Sequence, residues 1–393
     1  MADAEQTLRK YLNKILDEIN YIPRETNIEA IPAGGGNFTS ALFLVNVTSP
    51  NKDELKLFAK VCIVNEKMRK HMNADWLFDT ERFVYGRLVN IYRDLEEKLN
   101  VPEEHRYTFP KCYGCNAEFS NEIVVMENLA EKGYNPYNRF LSMDWAHGSK
   151  AVENLAKFHA LSFAFAKYEP EEFDKLTANM PYKVGGDATD EIDELSKAIF
   201  EKMIKRSLDV IKDEQKESVG KFIQTNFNLQ TYNRVIGKPV IAHGDYRMSN
   251  LLFCKEGNSL NTITVDYQTV HAGNPVADLL YFIFLGSDEE FRKEHFNELL
   301  DHYYKNLEQA LERLSIDAVE VYPRNKFDDD VKELLSYGLL LGVVVLPIVT
   351  VEAGSAPKMD QEIQVEAFAV EANELYAKRF RGIVNDCLAW GVV

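Results

Sequence analysis

Three short apolar runs, each meeting a polar side chain at its end, constrain this chain more than any other feature. Pro239-Val240-Ile241-Ala242, Leu251-Leu252-Phe253 and Thr262 to Val265 read as strands. The loop between the first two carries His243-Gly244-Asp245 and, five places after the aspartate, Asn250; the third run delivers Asp266. Asp245 suits the acceptance of a proton from an attacking hydroxyl, and Asn250 and Asp266 supply the oxygen donors that magnesium prefers. Held at one edge, these groups fit the transfer of a nucleotide's terminal phosphate, so ATP and Mg2+ are the expected cofactors. His243 is expected to brace the loop rather than to carry protons.

The bulk properties agree with a globular enzyme and narrow its partners. Across 393 residues, 46% are hydrophobic and 27% charged, an ordinary balance for a folded protein. A formal net charge of -17 argues against nucleic acid or an anionic membrane as a partner, because such surfaces bind through clustered Lys and Arg. Met1 to Asn20 lacks the uninterrupted apolar core of a signal peptide. Five cysteines without framework spacing suit a reducing cytosol, so a cytoplasmic location is expected. Tyr337 to Val349 is too short for a membrane span and is interrupted by Pro347, so it reads as a buried helix. No obligate protein partner is evident.

The order of elements predicts an α+β fold with a small antiparallel sheet first and a larger, mainly helical part after it. Leu8, Leu12, Ile15 and Ile19 share one face of an amphipathic helix. Ile28 to Ala33, Ala41 to Val47 and Leu55 to Val64 read as strands, and Phe109 to Cys112 and Ile123 to Met126 as two more. Gly34, Gly35, Gly36 and Asn37 fall between the first two; such a loop can close over phosphates, or can be a plain hairpin connection. Cys112 and Cys115 are spaced C-x-x-C, but no second pair or nearby His completes a zinc site.

Lys60 stands among apolar residues in Leu57-Phe58-Ala59-Lys60-Val61, and strand alternation alone would allow it to face solvent. Downstream, Leu77, Val84, Leu88, Ile91 and Leu95 form a helical stripe that also contains Glu81. A buried carboxylate needs a cation, so Glu81 is expected to pair with Lys60 and turn it toward the α and β phosphates. Glu127-Asn128-Leu129 leaves the sheet either as a plain loop or where backbone groups of Glu127 and Leu129 can meet an adenine edge. His159 reads as a core histidine, and the charged stretch from Glu169 to Lys221 as a solvated cover or an acceptor-site lining. Asp278 either caps the apolar helix that follows it or braces the catalytic loop; bracing is favoured. Arg247, beside the base, either favours an anionic acceptor or contacts a neighbouring carbonyl or carboxylate.

The Asp245-to-Asn250 interval is that of the protein-kinase catalytic loop, but Gly244 replaces the arginine of its H-R-D. Only eleven residues lie between Asp266 and Asp278, too few for a phosphorylated activation loop. These segments, together with Val265-Asp266-Tyr267-Gln268, Gly273-Asn274-Pro275, Lys60, Glu81, Met126-Glu127-Asn128-Leu129 and Leu155 to Ala160, resemble the ecdysteroid kinase-like family within the aminoglycoside and choline kinase group.

The resemblance implies a bilobal, protein-kinase-like fold, with an ATP-binding lobe over 1–127 and a catalytic and acceptor lobe over 128–393. It also implies ATP-dependent phosphorylation of a small-molecule alcohol, the 22-hydroxyl of moulting steroids being the best-known acceptor. Carried over, the roles are Asp245 as base, Asn250 and Asp266 as metal ligands, Lys60 on the phosphates and Glu81 as its partner. The family usually has Trp at the position of Arg247, Asn at Ser249 and often Asp at Asn128. The alternatives are a choline, ethanolamine or other small-molecule kinase, or a catalytically silent ATP- or steroid-binding protein of the same fold.

Overall fold

The computed structural model describes residues 2–32, 39–66, 69, 73–184, 194–352 and 371–393. The glycine loop proposed for phosphates, Gly34 to Asn37, lies outside them. Helix α1 (Ala2–Glu18) is followed by strands β1 (Glu25–Ile31), β2 (Ser40–Ser49) and β3 (Lys52–Cys62). With β4 (Cys112–Asn116) and β5 (Ile123–Glu127) they form one antiparallel sheet in the order β1-β2-β3-β5-β4. Strand β4 begins at Cys112 rather than Phe109, because Pro110 has no amide hydrogen to give a ladder.

The two faces of this sheet are covered differently. Leu8, Leu12, Ile15 and Leu16 of α1 pack with Phe43, Val45, Leu57, Ala59, Val61 and Val125 in an apolar cluster of their own. Ile19 does not join them: the helix ends at Glu18, Asn20 turns the chain in the left-handed region (φ 59°), and Ile19 is exposed.

The opposite face is covered by α2 (Ala74–Phe83), a π-helical turn over Val84–Leu88 and α3 (Val89–Lys98). That wider turn rotates α3 about its axis, so Tyr92 is fully buried and Ile91 only half-buried, where a regular stripe would bury Ile91. Val124 and Met126 of β5 belong to the large apolar cluster that runs on through the helical part.

Helix α4 (Trp145–Tyr168), capped by the Asp144 carboxylate on the His147 amide, is the axis of the helical part and packs on α6 (Glu289–Arg313). The strands that carry the expected catalytic motif lie in two different sheets. Strand β7 (Val240–Ala242) pairs with β10 (His271–Gly273), while β8 (Leu251–Glu256) pairs with β9 (Ser259–Thr264) and with β6 (Asn135–Pro136). The loop from His243 to Asn250 therefore spans from one ladder to the other. Helix α5 (Pro275–Gly286), started by Asn274 and Pro275, is buried at every residue behind that loop.

Tyr337 to Val349 is buried, as its composition predicts, but as two helices rather than one. Tyr337–Val344 and Leu346–Thr350 are separate because Pro347 fits only in the first turn of the second. Among the described residues no helix is long and apolar enough to cross a membrane. A small antiparallel sheet followed by a mainly helical part is the protein-kinase-like arrangement expected.

Candidate active site

Lys60 and Asp266 are separated by 206 positions, yet the lysine joins the sheet to the strand end that carries the aspartate. Its ammonium donates to Asp266 Oδ1 at 2.6 Å and to both Glu81 oxygens, at 3.0 and 2.8 Å. Lys60 is 6% exposed and Glu81 fully buried. Burial works against the charged lysine, but the two carboxylates outweigh it and hold its pKa above the ordinary value. Two acids share one cation here. Burial, with Asp266 close by, pushes the Glu81 carboxyl up against the pull of Lys60, while Lys60 and Arg247 draw Asp266 below the usual carboxylate range despite its burial. Asp266 sits in the left-handed region (φ 68°), a strain of about 1 kcal/mol or more that the lysine contact helps to fix.

Asp245 is enclosed by donors. Tyr281 Oη donates to Oδ1 at 2.6 Å, Asn250 Nδ2 to Oδ2 at 2.9 Å, and Arg247 Nε lies 2.9 Å from Oδ1 and 3.1 Å from Oδ2. Arg247 therefore contacts the carboxylate of the expected base itself. Asn250 Nδ2 also donates to the Asp245 carbonyl at 2.9 Å, so its amide oxygen is the end turned away from Asp245. The Val265 amide donates to the Asn250 carbonyl at 2.9 Å, which ties Asn250 to the residue before Asp266. An amide oxygen beside a carboxylate is a donor set that suits magnesium, which takes its remaining oxygens from phosphates and water. Among the described residues no group of three or more His, Cys, Asp or Glu is placed to hold a metal, so a site built from acids and histidines alone does not exist there.

The loop is held from behind by Asp278. Its Oδ2 accepts from the His243 amide at 2.6 Å and its Oδ1 from the Gly244 amide at 2.8 Å, while Asn274 caps the helix by accepting from Val276. His159, fully buried, bridges Asp278 Oδ2 at 3.1 Å and Tyr303 Oη at 2.7 Å. Burial disfavours the Asp278 charge, but the hydrogen bond with His159 keeps its pKa below the usual range. The His243 imidazole, lowered by burial, stays neutral and accepts from the Asp245 amide through Nδ1 at 3.3 Å. Gly244 has φ 82°, and a Cβ there would fall 2.5 Å from the Thr269 carbonyl oxygen. The absence of an arginine at this position is thus a packing requirement as well as a sequence difference.

At the strand exit, the Glu127 amide donates to the Lys111 carbonyl at 2.9 Å and the Leu129 carbonyl accepts from the Tyr134 amide at 3.1 Å. Those two backbone groups are committed within the protein.

The sequence profile of the ecdysteroid kinase-like family matches residues 34–316, which include Lys60, Glu81, Asp245, Asn250 and Asp266. The chain belongs to this family. No curated protein sequence matches it. Among solved structures, a microcompartment-associated aminopropanol kinase is similar at 11% identity and TM-score 0.41, covering 96% of this chain and 98% of that one. An aminoglycoside-3'-phosphotransferase of type VIII is similar at 12% identity and TM-score 0.34, covering 77% and 95%.

Sequence reasoning passed over Tyr281, the donor nearest to the Asp245 carboxylate of this ecdysteroid kinase-like protein. A tyrosine in the apolar run Leu279 to Leu285 reads as core. The available signal was its spacing: Tyr281 stands three after Asp278, so both project from one side of α5, Asp278 onto the loop backbone and Tyr281 onto Asp245.

Proposed function

We propose that this protein is an ATP- and Mg2+-dependent kinase that phosphorylates an alcohol hydroxyl of a small molecule, with an ecdysteroid or related steroid as the first acceptor class to test. The observation that supports the reading is the three-way contact of Lys60 with Glu81 and Asp266: a cation that would bind phosphate lies beside a carboxylate that would hold metal. The sheet over residues 1–127 takes the nucleotide and residues 128–393 supply the catalytic loop and acceptor site. With the Glu127 amide and Leu129 carbonyl committed, any adenine contact here falls to the other backbone groups of these two residues.

When bound, magnesium neutralises the charge of the transferred phosphoryl group, and Asn250 and Asp266 are the residues that would hold it. Asp245 orients the acceptor hydroxyl and takes its proton. Its carboxylate is fixed in place by Tyr281, Arg247 and Asn250, so little reorganisation is needed when the acceptor arrives.

The test mixes protein, ATP and magnesium with a steroid, choline and a sugar alcohol and measures ADP, with Asp266→Asn as control. Acceptor-dependent ADP from the steroid, absent in the variant although its thermal melt is retained, supports the proposal. ADP with choline alone would move the acceptor to an amino alcohol. ATP binding without acceptor-dependent ADP across the panel would make the protein a nucleotide-binding relative without turnover.

A further inference from the structure

The C-x-x-C pair, discounted as a zinc site, is brought together by the sheet. In a regular strand, residues three apart face opposite sides. Here the β4–β5 register slips between Cys112 and Gly114: Cys112 lies opposite Met126, Gly114 opposite Val125 and Cys115 opposite Val124. The bulge returns both cysteines to one face, and their sulfurs are 3.6 Å apart.

Register also identifies the face. Val124 is opposite Lys60 and Met126 opposite Phe58, so Cys115, Val124 and Lys60 form one row across three strands. The sulfurs thus lie on the Lys60 side of the sheet, about 10 Å from that lysine at two strand spacings. This is the side covered by the helix that carries Glu81. Gly114 faces the other way, where a Cβ would come within 2.9 Å of Ile15 Cδ1 and Tyr11 Oη, so α1 fixes the bulge from behind. Cys112 and Cys115 are half-buried, whereas Cys62, Cys254 and Cys387 are buried, and all five are free thiols. The hydrogen bond with Cys115 lowers the Cys112 thiol from its ordinary value, which makes Cys112 the first to ionise.

We propose that Cys112 and Cys115 form a reversible thiol–disulfide modification site with a low-molecular-weight disulfide as oxidant, and that closing it weakens nucleotide binding at Lys60. The Cys112 thiolate attacks one sulfur of glutathione disulfide, forming a mixed disulfide and releasing one glutathione thiolate. Cys115, losing its proton, then attacks Cys112 and releases the second. Two protein thiols are oxidised to one disulfide while one glutathione disulfide is reduced to two thiols. The sulfurs must approach by about 1.5 Å to reach bonding distance, which draws on β4 and on the surface under the Glu81 helix. The coupling to nucleotide rests on the proposed binding of ATP at Lys60; the site itself does not.

The folded full-length protein is incubated with glutathione disulfide, alkylated, digested and mapped by mass spectrometry, and ATP affinity is measured before oxidation, after it, and after dithiothreitol. The expected result is a Cys112–Cys115 linked peptide, a several-fold weaker ATP affinity, and recovery of both on reduction. Cys115→Ser should stop at glutathione bound to Cys112, and a Cys112→Ser/Cys115→Ser protein should bind ATP equally with and without oxidant. Free alkylated thiols at both positions, or linkage only among the buried cysteines, would overturn the site. A linked pair with unchanged ATP affinity would overturn the coupling. Reduced protein that binds no ATP would sink the nucleotide reading and the coupling with it, while the peptide map still decides the site.

Discussion

Ala59 and Lys60 are neighbours in β3, yet the two faces of the sheet to which they belong do different work. On the Ala59 face, α1 closes over Phe43, Val45, Leu57 and Val125 in an apolar cluster. On the Lys60 face, the covering helix brings Glu81 to an ammonium that also reaches Asp266. The lesson is that strand alternation does not send every second residue to water. When helices cover both faces, a charge on the strand must find its partner inside, and the Asp266 contact fixes the relation of the sheet to the strand end that follows β9.

Breaking the polar face has the largest expected effect on function. Lys60→Met should lower turnover by about 10²-fold or more and remove the thermal shift produced by ATP. The fold should persist, since Glu81, already pushed up by burial, can take a proton when its cation is gone. Turnover close to that of the unmodified protein would remove Lys60 from the site.

Breaking the apolar face should do the reverse. Phe43 is 1% exposed, and Phe43→Ala should cost about 3–5 kcal/mol of stability in a denaturant melt. ATP affinity of the folded fraction should stay unchanged. A large loss of affinity would mean that the two faces are coupled and the contrast fails.

The smallest effect sharpens the comparison between carboxylates on the covered side. Glu96, also buried, accepts from the Tyr107 amide at 2.8 Å rather than from a lysine, and burial pushes its pKa from 4.5 up to about 7. Between those values the folded state holds a proton that the unfolded state has lost, so stability is full below 4.5 and falls as pH rises through about 7. The fall should be about 3 kcal/mol. Glu96→Gln should flatten that slope in melts taken across the window. An equal slope in the variant would remove Glu96 as its source.

Much of the site was legible in the sequence because it rests on short spacings. The interval from Asp245 to Asn250, the strand ending at Asp266 and the stripe carrying Glu81 are local patterns that secondary structure converts directly into proximity. Element boundaries were less legible. The π-helical turn at Val84 to Leu88 has no proline or glycine pair to announce it, and its rotation buried Tyr92 in place of Ile91. Tyr281 was hidden for another reason: an aromatic residue in an apolar helix has the same appearance whether its hydroxyl meets a carboxylate or a backbone carbonyl.

By itself, the sequence determined the chemical inventory and its order: a lysine on a strand, a glutamate on a helix, then an aspartate, an amide and a second aspartate at strand ends. Those features come from periodicity and spacing, which act over a few residues. Only the tertiary structure decided which charges meet. Lys60 reaching Asp266, Arg247 and Tyr281 closing on Asp245, Asp278 holding the loop, and a bulge setting two thiols side by side all depend on contacts between distant segments. Such contacts form because buried polar groups must be satisfied wherever packing leaves them.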